Sequence, residues 1–174
     1  HLSIRRQRQM CIRDSLRVSE LDAHQKRKLI PALVEKISSL SYGQPGYYDV
    51  KKRIEEVTQS IVKSLDPSDL TAVLGNTIDR FGASEPSLVM KLVGETCHQT
   101  SVIEFLRRKK YVDWIVSRFV NSNSYDDASV NAKAIAKISA ILSDSQIREI
   151  LDAIDVNSQI RDSWGAQSYL RDLK

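Results

Sequence analysis

Apolar side chains recur every three or four residues along almost the whole chain from Ser19 onward. That spacing matches the 3.6-residue turn of an α-helix, not the two-residue alternation of a strand. A segment built this way has one apolar stripe and one solvated face, and it must bury the stripe against a neighbour. The six glycines and four prolines fall mainly between the periodic segments, and no Asn-Gly hairpin signal interrupts them. The pattern predicts an all-α fold: antiparallel helical hairpins stacked as a short α-solenoid, or gathered into an irregular multi-helix bundle.

Local signals divide the pattern. Ser19, with Asp22 three residues on, forms an N-cap arrangement close to a capping box. The stripe that follows is Leu29, Ile30, Leu33, Val34, Ile37 and Leu40, and Pro31 within it predicts a kink or two short helices. Ser41 to Gly46 reads as a loop, and a second helix runs from about Tyr48 to Leu65 on Ile54, Val57, Ile61 and Val62. Asp66 and Pro67 open a third helix as N-cap and first helical residue, with Gly82 as its C-terminal cap. Ser84-Glu85-Pro86 starts a fourth, ending near Gln99. Ser101 to Val120 reads as one segment, and Asn121 to Ser124 as a linker. A sixth helix begins near Asp126 and reaches Leu142. Ser143 caps a seventh, and after a break at Asn157-Ser158-Gln159 a last helix carries Trp164, Tyr169, Leu170 and Leu173.

Residues 1–15 do not belong to this pattern. Arg5-Arg6-Gln7-Arg8-Gln9-Met10-Cys11-Ile12-Arg13-Asp14-Ser15 resembles a translated transposase adapter from a sequencing library. With no initiator Met, the resemblance implies an artefactual, disordered tail on a fragment of a longer protein, with residues 16–174 as one all-α, helical-repeat-like domain. Removing the tail changes the charge argument. It takes four arginines and one aspartate from 26 basic and 22 acidic residues, leaving 22 against 21, a net of +1 instead of +4. The case for a strongly basic nucleic-acid or membrane binder goes with it. Cys97 is then the single cysteine, which excludes an internal disulfide and a cysteine-built zinc site. A lone free thiol suits a reducing compartment and sets the expectation of a cytoplasmic protein. No apolar run approaches the roughly 20 residues of a membrane helix.

Two regions match at a constant offset of 77 residues. Tyr48-Asp49 aligns with Tyr125-Asp126, Ile61 with Ile138, Leu65 with Leu142, Leu70 with Ile147, and Val73-Leu74 with Ile150-Leu151. Each region is a helix, a capped turn and a second helix, a unit that buries its apolar face by stacking on a neighbour. A true duplication and a coincidence of two helical hairpins both fit. Over residues 16–174 the pattern resembles HEAT-like α-solenoid repeats, whose first helix often carries a kinking proline such as Pro31. The resemblance implies an extended surface for partners.

Residues that could carry chemistry are few. Cys97-His98 pairs a thiol with an imidazole, but adjacent helical residues point about 100° apart, so they do not face each other. Arg17 and His24, six residues between them, are similar to the arginine–histidine spacing of HEPN ribonucleases, although Val18 stands where that family has a polar residue. No Gly-rich loop precedes Lys-Ser or Lys-Thr, no metal-ligand spacing of histidines exists, and Glu55-Glu56 and Asp126-Asp127 are adjacent instead of convergent. The expectation is no catalytic, cofactor or metal site.

Two basic clusters remain, Lys26-Arg27-Lys28 and Arg107-Arg108-Lys109-Lys110, the second flanked by Phe105, Tyr111 and Trp114. Basic residues beside aromatics can hold a phosphate backbone and stack on bases. That reading requires both clusters to share one face. The favoured expectation is a non-catalytic interaction or regulatory segment that binds a partner protein or an upstream domain. The alternative is a nucleic-acid-binding helical repeat using Arg107, Arg108, Lys109 and Lys110.

Overall fold

A computed structural model describes residues 18–40 and 43–171. The adapter-like tail, Arg17, Ser41, Tyr42 and Leu173 lie outside the described residues. Within them the chain is all helix, without strands. The helices are α1 (Ala23–Ser38), α2 (Tyr47–Ser64), α3 (Pro67–Phe81), α4 (Pro86–Thr96), α5 (Thr100–Arg108), α6 (Tyr111–Val120), α7 (Tyr125–Ile138), α8 (Asp144–Val156), α9 (Ser158–Arg161) and α10 (Trp164–Leu170). None is long and apolar enough to cross a membrane.

The caps explain most boundaries. Asp66 accepts hydrogen bonds from the N–H groups of Ser68 and Asp69, with Pro67 at the first helical position. Ser143 and Gln146 form a reciprocal capping box at α8. A second box opens α1, but its members are Asp22 and Gln25, not Ser19, which sits in a 3₁₀ turn, Val18–Glu20. Gly43 and Gly46 turn the chain into α2 with φ of 92° and 82°, values that L side chains resist.

Two expectations need correction. Pro31 does not divide α1, which runs unbroken through it. The ring removes one hydrogen bond, but Ile30, Pro31, Val34 and Ile37 are all buried on one side and hold the helix in place. Ser101 to Val120 is not one segment: it splits into α5 and α6 at Lys109-Lys110, where Lys110 adopts φ 59°. Gly82 caps α3 as expected, in a right-handed conformation, and its lack of a side chain also allows close approach. A Cβ there would stand 3.1 Å from the Trp114 ring. In α10 Trp164 is 85% exposed, while Leu170 is buried.

The helices pack in two rows. In the first, α2 neighbours α4, α4 neighbours α7, and α7 neighbours α10. In the second, α1 neighbours α3, α3 neighbours α5, and α5 and α6 lead to α8. Contacts between α1 and α2, α3 and α4, and α6 and α7 join the rows around one continuous apolar core. Polar pairs tie each row along its length. Lys91 reaches Glu55 at 2.7 Å and Lys133 reaches Glu95 along the first row. Tyr111 donates to Asp79 and Gln146 to Asp113 along the second.

Candidate functional site

The four-residue basic cluster occupies the corner between α5 and α6. The last turn of α5 carries Arg107 and Arg108, and Lys109-Lys110 makes the corner; all four are exposed. Arg108 pairs with Glu104 one turn earlier at 2.9 Å. Two of the three flanking aromatics turn away from the cations. Phe105 and Tyr111 pack together with ring centroids 5.7 Å apart, Tyr111 donates its hydroxyl to Asp79, and Trp114 lies against Gly82. Burial and that hydrogen bond hold the Tyr111 hydroxyl up to about 12. Tyr111 and Trp114 are therefore part of the packing, while half-buried Phe105 also faces a groove that it shares with Arg108 and Lys109.

The second cluster meets the same helix from the other side. Arg27 pairs with Asp69 of α3 at 2.9 Å. Arg108 and Lys109, with Pro67, Ser68, Thr71, Ser101 and Phe105, line a shallow groove of about 390 Å³. Both clusters thus flank the first turns of α3, with Asp66 and Asp69 between them. Lys26 is half-buried and Lys28 exposed.

Cys97 is buried at the end of α4, and desolvation pushes its thiol up to about 12. A thiol so raised is not a nucleophile near neutral pH. His98 is exposed, with its Nδ1 2.9 Å from the Glu95 carbonyl and no approach to the Cys97 sulfur recorded. His24 is exposed, and its proposed partner Arg17 lies outside the described residues. Among the described residues no three His, Cys, Asp or Glu side chains gather as a metal cluster would require.

The structure also contains a polar knot that the sequence did not announce. Ser122, Asp127 and Asn131 are buried where α6 ends against α7. Asn131 donates to the Arg118 carbonyl and to Ser122 Oγ, Ser122 Oγ donates to the Phe119 carbonyl, and Asn157 donates to the carbonyls of Val120 and Ser122. These donors meet the carbonyls that a helix C-terminus leaves without intrahelical partners. The knot closes a helix end instead of lining a crevice.

A groove along α8 has a different character. Val120, Ser145, Arg148, Glu149, Asp152, Ala153 and Val156 line a space of about 450 Å³. Val156 is 80% exposed, and Glu149 and Asp152 stand in the open beside it. Local sequence explains the arrangement: the Ser143 box starts α8 so that 145, 149, 152 and 156 share its outer face while Ile150 and Ile154 face the core. Its floor can seat an apolar side chain, and its rim offers two carboxylates. Compared with protein-family models, curated proteins and solved structures, the chain matches none.

Proposed function

We propose that residues 16–174 are a short run of HEAT-like helical repeats that acts without catalysis, in the cytoplasm, by docking a partner protein or an upstream domain. The groove beside α8 carries this reading, because an apolar floor with Val156 exposed and a charged rim is chemistry for seating another chain. The spacing of the cross-helix pairs supports the repeat. Partners in Glu55–Lys91, Glu95–Lys133, Asp79–Tyr111 and Asp113–Gln146 lie 36, 38, 32 and 33 residues apart. On that measure the 77-residue offset spans two units. A photoreactive residue at Ser145 should give one discrete protein adduct in an extract of the source cells, and Val156→Asp should abolish it. An identical adduct from a photoreactive residue at His98, exposed between α4 and α5, would refute the groove.

A nucleic-acid reading draws on the convergence of both basic clusters beside α3. Against it stand the pairing of Arg27 with Asp69 and of Arg108 with Glu104, the carboxylates of Asp66 and Asp69 between the clusters, and the packing of Tyr111 and Trp114 against α3 and Gly82. Fluorescence anisotropy with a single-stranded RNA across salt concentrations tests it. Replacing Arg107, Arg108, Lys109 and Lys110 by Ala should flatten the salt slope only if those residues contact phosphates.

A further inference from the structure

The two ends of the helical rows differ in charge. At one end, α1 and α2 together hold eight Lys and Arg against four Asp and Glu; at the other, α8 holds one against four. Their inward sides are fixed by contacts: Arg27 to Asp69 on α1, Glu55 to Lys91 on α2, and Gln146 to Asp113 on α8. At about 100° per residue, the opposite sides follow. The side of α1 turned away from α3 carries half-buried Leu29 and Leu33 with exposed Lys36. The side of α2 turned away from α4 carries Val50, Arg53 and half-buried Val57. The side of α8 turned away from α6 carries exposed Asp144, Arg148 and Asp155 with half-buried Leu151, and half-buried Ile147 lies at its edge. Exposed Trp164 starts α10 at that same end.

We propose that these two ends are complementary and that copies of this chain associate head to tail, the α8 end of one on the α1–α2 end of the next. Each end is an apolar stripe beside charges of one prevailing sign: Lys36 and Arg53 at one, and at the other Asp144 and Asp155 flanking Arg148 on a helix whose carboxylates outnumber its single cation four to one. Pairing unlike ends buries both stripes and joins opposite charges, whereas pairing like ends would set equal charges against each other. Arg53 also pairs with Glu56 on its own helix, but both side chains are exposed and such a pair exchanges partners readily. Contact between non-identical ends leaves each assembly with unsatisfied ends, so growth proceeds to open chains or rings and does not stop at a two-fold dimer.

Sedimentation of the full chain tests this. The average mass should rise with concentration beyond a dimer, and association should weaken by about ten-fold or more between low salt and about 0.5 M NaCl, where charges are screened beyond a few ångströms. A double variant Asp144→Lys/Asp155→Lys should be monomeric alone, as should Lys36→Glu/Arg53→Glu. Mixing the two should restore association, because every junction then again joins opposite charges. Misfolded chains could not produce that restoration, and circular dichroism of each variant checks the helices directly. A chain that stays monomeric at every concentration overturns the proposal. So does a dimer indifferent to both reversals, association retained by either variant alone, or a mixture that stays monomeric.

Discussion

The side-chain amide of Asn131 donates to the backbone carbonyl of Arg118 at 3.0 Å, linking the middle of α7 to the last turn of α6, thirteen residues earlier. Its second N–H goes to Ser122 Oγ at 2.9 Å, and the residue is 1% exposed. One buried side chain thus helps to satisfy a helix end and sets where the chain turns from one row to the other.

Asn131→Leu should therefore destabilise the fold by about 1–3 kcal/mol, the range for leaving buried polar groups without a partner. Asn131→Asp should do worse, since a carboxylate cannot donate to the Arg118 carbonyl and is costly to bury unpaired. Urea unfolding should show a lower midpoint with an unchanged slope. An unshifted midpoint for both variants would refute a structural role for the knot.

Gly165 holds α10 against α7 by having no side chain. A Cβ there would lie 2.9 Å from Ser129 Cβ and would overlap Ser129 Oγ. The obstructing atoms sit next to the α7 backbone and have little freedom to retreat. Alanine favours a helix by about 1 kcal/mol over glycine, yet Gly165→Ala should destabilise by about 1–3 kcal/mol because the helices must separate. Ser129→Gly, in the same chain, should recover most of the Gly165→Ala loss, a coupling that a double-mutant cycle reads directly.

These examples mark what was legible in the sequence. Helix starts at Asp66-Pro67 and Ser143 could be read because capping acts within three or four residues. The division at Lys109-Lys110 left a weaker mark, a six-residue gap in the apolar spacing between Leu106 and Val112, and a lysine gives no sign of a left-handed backbone. Asn131 has no local signature either: its partners are nine and thirteen residues away, and only the tertiary fold joins them. The aromatics beside the basic cluster misled for a related reason. Proximity in sequence placed Phe105, Tyr111 and Trp114 with the cations, while the fold turned Tyr111 to Asp79 and Trp114 to Gly82 and left Phe105 in the groove with Arg108 and Lys109.

The ion pair between Glu95 and Lys133 adds a pH-dependent term. The hydrogen bond from Lys133 holds the Glu95 carboxyl below the usual glutamate range, against the opposing effect of partial burial, with Lys133, Lys63 and Lys91 helping through charge. A carboxyl lowered in the folded state contributes stability above its unfolded value and loses it as pH falls through the folded value. Glu95→Gln should therefore be less stable than the parent at pH 7, by under about 1 kcal/mol for a pair this accessible to water. The gap should close as pH drops below the ordinary glutamate range. Urea midpoints at pH 7 and pH 3 measure it, and a gap that is constant or wider at pH 3 would contradict the assignment.

Lys110 sits at φ 59°, ψ 23°, just past the C-cap of α5 and immediately before α6. A left-handed residue at this position is a common way to end a helix, and glycine usually supplies it. An L side chain there costs about 1–2 kcal/mol, because Cβ crowds the neighbouring carbonyl. Glycine removes that strain but adds freedom to the unfolded chain, which offsets about 0.5–1 kcal/mol. Lys110→Gly should therefore stabilise by about 0.5–1 kcal/mol, a rise in Tm of about 1–4 °C for a chain of this size. Lys110→Val should destabilise, since a β-branched side chain tolerates the left-handed region least. The neighbouring Lys109 has φ −88°, so Lys109→Gly carries the entropic loss without the relief and should destabilise. Because Lys109→Gly and Lys110→Gly remove the same charge, the opposite signs expected of them isolate the backbone. Equal shifts from both would mean that charge at the corner, not conformation, sets the response.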